Sequence, residues 1–386
     1  MALHFERSEF AARVARARTA LREAGLDALL IFAQESHYYL TGFDTSGFVF
    51  FQCAVLTADE GAITLLTRRP DLEQARRTSV IEDVRIWYDE EGADPTRELK
   101  AILEEKGLAG SRIGIELNTF GLTGLNHERV RLRLEGWCEL VDASNLVRGL
   151  RLTKSPAELV YVRKAANLAD AALGAMLGAT RPGAFEGAIA AAGAAAILAG
   201  GGDPPPSGPV LGSGERALLV RSSTGYRKLD AVDQLTLEFA ASYRYYCACL
   251  MRTVAIGKGE PRQRAMYEAT REALAAMTEA ALPGRPLGEI DDAHRRVFDR
   301  AGYGKVRLAA CGYSLGATFK PSWMDVPPMI YSGNPTPMRP GMVLFLHAIL
   351  VDAEHGLAMS LGHTIAIGAG GAEVLSALAP EYRVCA

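Results

Sequence analysis

Through its first 150 residues the chain switches repeatedly between helical and strand periodicity, and that alternation is the tightest restriction on its fold. In residues 8–25, Phe10, Val14, Ala17 and Leu21 recur at helical spacing, with Ser8 as the expected N-cap and Gly25 as the stop. Residues 28–32 then read as a short buried strand, 48–56 and 62–66 as two strands around an Asp59–Gly61 turn, 94–106 as a helix, 113–116 as a strand and 122–136 as a helix. Strands and helices exchanged at this pace predict an α/β domain with helices laid on the faces of a sheet.

A change of pattern follows at residues 148–156, where Lys154, Ser155 and Pro156 open a long helix, with proline at its first position. That helix is expected to run to Gly178, followed by an Ala-rich helix over 185–199 and a loop over 200–206. Strands are expected at 235–239 and 243–256, charged helices at 260–281 and 287–301, and strands and loops from Lys305 onward. Helices, strands, helices and strands in that order predict an α+β domain with internal pseudo-symmetry. The expected division is therefore 1–150 and 151–386.

Bulk properties exclude several functions. A net charge of −3 lacks the basic excess of a nucleic-acid or membrane-surface protein. The six cysteines form no C-x-x-C pair, which argues against a zinc ribbon or redox motif and fits reduced thiols in a cytosol. Residues 1–10 carry Glu6, Arg7 and Glu9 and no apolar core, so they are not read as a signal peptide. The apolar run at 342–351 is too short to span a bilayer and is broken by His347.

Four segments carry a resemblance. They are "ARTALREAGLDALLIFAQESHYYLTGF" (17–43), "RLTKSPAELVYVRKAANLADAAL" (151–173), "RPGMVLFLHAIL" (339–350) and "GHTIAIGAGGAEVLS" (362–376). In that order they resemble the creatinase/prolidase superfamily. The likeness implies a creatinase-type α/β N-terminal domain and an α+β catalytic domain of the pita-bread type. It also implies a homodimer, in which Phe48 and its neighbours Phe43 and Asp44 reach the partner's site. Peptidases of this superfamily hold two divalent metals through two Asp, one His and two Glu, because hard oxygen donors and an imidazole suit metals that share a hydroxide. Here those positions fall on Glu238, Cys249, Tyr313, His347 and Gly362, none of them the expected residue. No metal or other cofactor is therefore expected.

Three further stretches, "LTLEFAASYRYYCACLMRT" (235–253), "CGYSLGATFKPSWMDVPPM" (311–329) and "YSGNP" (331–335), are similar to the ectoine hydrolase branch, whose members open a cyclic amidine. The resemblance implies a metal-independent hydrolase of a C–N bond in a small amidine- or amide-like compound. In that branch the carboxylate matching Glu238 is implicated in attack on the ring. The superfamily's proton-shuttling His falls on Arg221, which cannot act as a base but can hold a substrate carboxylate. His347, His363 or a different substrate then supplies the missing proton chemistry.

The expected catalytic residues are Glu238, His347, His363 and Tyr313. Arg221, Trp323, Asp325 and Phe48 are the expected substrate-binding residues. Each has a plainer alternative. Glu238 pairs with Arg252 or Arg244, His347 and Tyr313 fill core, and Trp323 anchors a lid or dimer loop. Two other functions stay open: an Xaa-Pro dipeptidase-type metallohydrolase and a non-catalytic peptide-binding protein.

Overall fold

In the computed structural model, which describes residues 3–386, the chain forms two compact units, the first ending at Arg151 and the second running Leu152–Ala386. The first two residues of the polar N-terminal segment lie outside the described residues. No helix among the described residues is long and apolar enough to cross a membrane.

The first unit runs α1 (Arg7–Glu23), β1 (Ala28–Ile31), α2 (Gln34–Thr41), β2 (Cys53–Thr57), β3 (Thr64–Arg68), α3 (Leu72–Thr78), β4 (Asp83–Trp87), α4 (Pro95–Glu105), β5 (Arg112–Ile115), α5 (Gly124–Leu134), β6 (Glu139–Asp142) and α6 (Ser144–Arg151). The six strands make one mixed sheet in the order β4-β3-β2-β1-β5-β6. Central β1 shows why its apolar run is unbroken: Leu29 and Ile31 pack with Ala17 and Leu21 of α1, while Leu30 packs with Leu99, Leu103 and Val130 of α4 and α5. Ser8 does not cap α1. Glu6 takes the N-cap position in extended conformation, and Ser8 falls inside the first turn. Residues 48–56 split into a short 3-10 turn, Gly47–Val49, and the strand β2.

The second unit begins with α7 (Pro156–Ala179), α8 (Glu186–Ala199) and β7 (Val210–Ser213). A capping box closes the start of α7: Glu158 N donates to Ser155 Oγ and Ser155 N to Glu158 Oε2 at 2.9 Å, with Pro156 at the first turn. Next come β8 (Asp233–Tyr243), β9 (Tyr246–Ile256), α9 (Pro261–Ala280), α10 (Gly288–Arg300), β10 (Gly312–Ser314), β11 (Met329–Ile330), β12 (Val343–Asp352), β13 (Leu357–Gly368), β14 (Gly371–Val374) and β15 (Val384–Cys385). They form a nine-stranded sheet whose main path is β11-β10-β12-β13-β9-β8-β7. Two long hairpins, β8–β9 and β12–β13, meet edge to edge at β13–β9.

Side-chain alternation sorts this sheet into two faces. Leu235, Leu237 and Phe239 of β8, with Leu250, Val254 and Ile256 of β9, pack in one core with α7 and α8 residues. Leu344, Leu346 and Ala348 of β12, with Leu361 and Ile365 of β13, pack in a second core with α9 and α10 residues. Each hairpin thus carries its own helix pair, which is the internal pseudo-symmetry. The residues in between, Thr236, Glu238, Phe345, His347 and Gly362 among them, belong to the helix-free face.

In the first unit Glu116 anchors the start of α2. Its carboxylate accepts from Phe32 N (3.0 Å), Ala33 N (2.8 Å) and Ser36 Oγ (2.6 Å). Burial outweighs these bonds and pushes its pKa to about 7. Between the ordinary value and about 7 the folded chain holds a proton that the unfolded chain releases, so this group lowers stability as pH rises through that window. The effect is roughly 3 kcal/mol at about 1.4 kcal/mol per unit. Denaturant unfolding at about pH 4.5 and about pH 8 should show a larger stability loss in wild type than in Glu116→Gln, which is neutral at both. Equal losses would remove Glu116 as the cause.

Candidate active site

The helix-free face of the second unit holds a pocket of about 420 Å³. Five of the eight expected site residues line it: Arg221, Glu238, Tyr313, Trp323 and His347. Glu238 comes from the middle of β8, Tyr313 from β10 and His347 from β12. Strand parity explains their meeting: Glu238 and His347 lie out of phase with the leucines that face the helices, and Tyr313 pairs with Phe345 on the same face.

A short hydrogen-bond chain organises the centre. Trp323 Nε1 donates to Tyr313 Oη at 2.8 Å, and Tyr313 Oη donates to Glu238 Oε1 at 3.0 Å. The indole can only donate, so the tyrosine proton is directed at the carboxylate. Burial raises the Glu238 pKa, opposed by the Tyr313 hydrogen bond and the Arg221 charge. Burial, with Cys249 and Glu238 nearby, pushes the Tyr313 phenol well above its ordinary value, so it stays neutral. The ion pair with Arg252 is not formed: that guanidinium donates to the carbonyls of Met251 (2.8 Å) and Gly362 (2.7 Å) instead.

His347 packs its ring 5.8 Å from Tyr313 and 5.5 Å from Phe345. Burial lowers its pKa to about 3, helped by His294 and Arg221, so the imidazole is neutral around pH 7. Arg221 is exposed, sits between β7 and β8 and has no hydrogen bond or ion pair among the described residues. It is the pocket's available guanidinium.

Three expected residues lie elsewhere. His363 falls on the opposite parity of β13, on the helix side, where Nε2 is 3.0 Å from Thr278 Oγ1 of α9. There it lines a separate groove with Tyr267, Arg271 and Tyr382, and burial lowers its pKa to about 4. Asp325 is buried, with its carboxylate against Gly316 and its N–H on Ser314 O at 3.0 Å, and it does not line the pocket. Phe48, in the 3-10 turn of the first unit, is buried and does not line the pocket. Sequence reasoning missed Val210, Leu308 and Met324, apolar wall residues on loops and an edge strand with no chemical signature.

Against known proteins, "Metallopeptidase family M24" matches residues 160–369, more than half of the chain, and "Creatinase/Prolidase N-terminal domain" matches 13–153. The chain belongs to metallopeptidase family M24. It is 26% identical to the ectoine hydrolase of Halomonas elongata over 97% of each chain. It is 24% identical to the Xaa-Pro dipeptidase of Pyrococcus horikoshii over 83% of this chain and 84% of that one. A solved dipeptidase structure from Pyrococcus horikoshii superposes with a TM-score of 0.85 at 24% identity, covering 96% of this chain and 99% of that one. The α/β N-terminal domain is thus of the creatinase/prolidase N-terminal type, and the pseudo-symmetric second domain has the M24 pita-bread fold.

The M24 metal positions can be tested against these side chains. Glu238, Cys249, Tyr313 and His347 do converge: Tyr313 touches Glu238 and His347, and Cys249 acts on both Tyr313 and Glu238. As donors they do not suit two dications. The Tyr313 oxygen is a neutral phenol already accepting from Trp323, and Cys249 offers a soft sulfur where the family's metals take hard oxygen donors. At Gly362, a Cβ would come within 2.7 Å of Phe345 Cζ and 2.9 Å of Leu346 O. The Phe345 ring, packed 5.3 Å from Tyr313, fills the space a carboxylate at 362 would need. One carboxylate remains for two ions, so the residues do not fit the M24 dimetal centre.

Gly362→Ala should therefore overpack the pocket floor and cost about 1–3 kcal/mol in denaturant unfolding. Adding Phe345→Leu should return part of that loss. An alanine variant as stable as wild type would show that the ring does not occupy this space.

Proposed function

We propose that the second unit hydrolyses a C–N bond in a small amidine- or amide-like compound without a bound metal. The observation that supports this reading is the Trp323–Tyr313–Glu238 chain standing where M24 peptidases carry metal ligands. It leaves one oriented carboxylate of raised pKa facing a pocket of small-molecule size. The ectoine hydrolase relative, matched over nearly its whole length, points to a cyclic amidine.

In the proposed reaction Glu238 acts at the amidine carbon, either by adding its carboxylate or by taking a proton from an attacking water. Through water, the C–O bond forms as the proton passes to Glu238. The C–N bond breaks as that proton reaches the leaving nitrogen, giving an amide and an amine. Tyr313 orients Glu238 and favours its ionised form. His347, neutral in the free pocket, is placed to accept or donate a hydrogen bond to the substrate. Arg221 suits a substrate carboxylate, since a guanidinium can bind one through two parallel bonds. A homodimer in which Phe48 approaches the partner's pocket completes the proposal.

The competing reading is an Xaa-Pro dipeptidase, which the dipeptidase relatives favour and the donor set disfavours. Hydrolysis of cyclic amidines and Xaa-Pro dipeptides, assayed with chelator and with added manganese, separates the two. Chelator-resistant amidine hydrolysis is expected, and Glu238→Gln should lower it by about 10²–10⁴-fold. Manganese-dependent dipeptide cleavage would refute the proposal.

The pH profile gives a second check. Glu238 must be ionised to act, so kcat/KM should rise with pH through a limb above the ordinary carboxylate range. Tyr313→Phe removes the bond that favours the ionised form and should move that limb to higher pH. A limb that stays in place would mean that Tyr313 does not tune Glu238.

A further inference from the structure

Behind the pocket wall, α10 and the residue preceding β10 gather three unlike donors. Asp291 and His294 lie three residues apart on the buried side of α10, and Cys311 enters from the loop. One donor atom from each lies within 4.8 Å of the other two, and all three residues are buried. The surroundings are apolar, with Ile290, Val297, Phe298, Ile330 and Leu346 in the same core.

This cluster is poorly satisfied by the protein itself. His294 is 0% exposed, and neither ring nitrogen has a hydrogen-bond partner. Asp291 Oδ1 has no close hydrogen bond: His294 Nδ1 stands at a long 3.4 Å and the Cys311 thiol acts on the same carboxylate, while Ser332 N holds Oδ2 at 3.1 Å. Unmet polar atoms in such a core cost about 1–3 kcal/mol each, so plain packing is a weak reason to place an imidazole there. A cation between the three would satisfy Asp291 Oδ1 and one His294 nitrogen at once. Sulfur, imidazole nitrogen and carboxylate oxygen are together the donors that zinc-type ions take.

Arg307 is the competitor. Its Nη1 lies 3.9 Å from Asp291 Oδ1, with no hydrogen bond of its own, and its side chain is 16% exposed. By turning toward solvent when an ion enters it would give up that long ion pair, which the cation replaces.

We propose that Asp291, His294 and Cys311 form a binding site for one zinc-type divalent ion, distinct from the Glu238 pocket. Three protein donors leave a fourth tetrahedral position to a water or to the second Asp291 oxygen. Uptake converts the Cys311 thiol to a thiolate and releases its proton to solvent, while Asp291 binds through its carboxylate and His294 through a ring nitrogen.

The test uses the full chain, stripped with chelator under denaturing conditions, refolded and titrated with cobalt(II). One equivalent should bind with a cobalt–thiolate charge-transfer band, and zinc should displace it. Cys311→Ser should abolish the band, with circular dichroism confirming the fold. Cys249→Ser, altering the thiol beside the pocket, should keep it. Should Cys311→Ser fail to fold, His294→Ala should weaken cobalt binding by at least about tenfold with the band retained. Glu238→Gln should leave the band intact, so the readout does not depend on the proposed hydrolysis. Absence of a thiolate band, or its loss with Cys249→Ser or Glu238→Gln but not Cys311→Ser, would overturn the site.

Discussion

Strand parity governs everything in the second unit. Along β8, β9, β12 and β13 one set of side chains is committed to the helices, and the other set is left with no helix to cover it. A two-residue period cannot be adjusted locally. A one-residue slip of β8 would bury Glu238 against α7 and turn Leu237 and Phe239 outward. The pocket is therefore a by-product of core packing. Helix burial fixes the register, and the register delivers Glu238, Tyr313 and His347 to one place.

Parity also explains how much was legible in the sequence. Glu238 between Leu237 and Phe239, and His347 between Leu346 and Ala348, stand out because a polar residue interrupts an apolar alternation. The same rule separates His363 from them. It pairs across from Leu346, and both belong to the helix side. Counting register from Gly362, which pairs with His347, would have placed it there. Asp325 carried no such signal, because its loop position follows from contacts with Ser314 and Gly316 that no periodicity encodes.

Elements escaped sequence reasoning for similar reasons. β4 and β6 are the two edges of the first sheet, and their Asp83, Arg85 and Glu139 dilute the strand pattern where one side is unpaired. The β8–β9 hairpin turns on Arg244 and Tyr245, both at positive φ (50° and 67°), a role usually signalled by Gly or Asn. Tyr245 is held there from outside, by its N–H on Asp203 Oδ2 at 2.9 Å and its ring stacked on Phe319 at 4.5 Å. By contrast, the start of α7 was fully legible, since Ser155, Pro156 and Glu158 form a cap from local residues alone.

The departure from the M24 ligand set is physically coherent as a group. Several carboxylates facing one small pocket are tolerable when cations sit among them; without cations each raises the pKa of the next. Keeping one carboxylate and replacing the others removes that repulsion. A phenol in place of one donor then supplies the single proton that the remaining carboxylate can accept. At the floor, glycine at 362 and a phenyl ring at 345 exchange volume, so loss of a side chain on β13 is matched by bulk on β12. A ring at 345 crowds any side chain at 362, and a donor such as Tyr313 favours the ionised form of a lone Glu238. These substitutions are therefore coupled: reversing one alone would leave either an overpacked floor or an unbalanced charge.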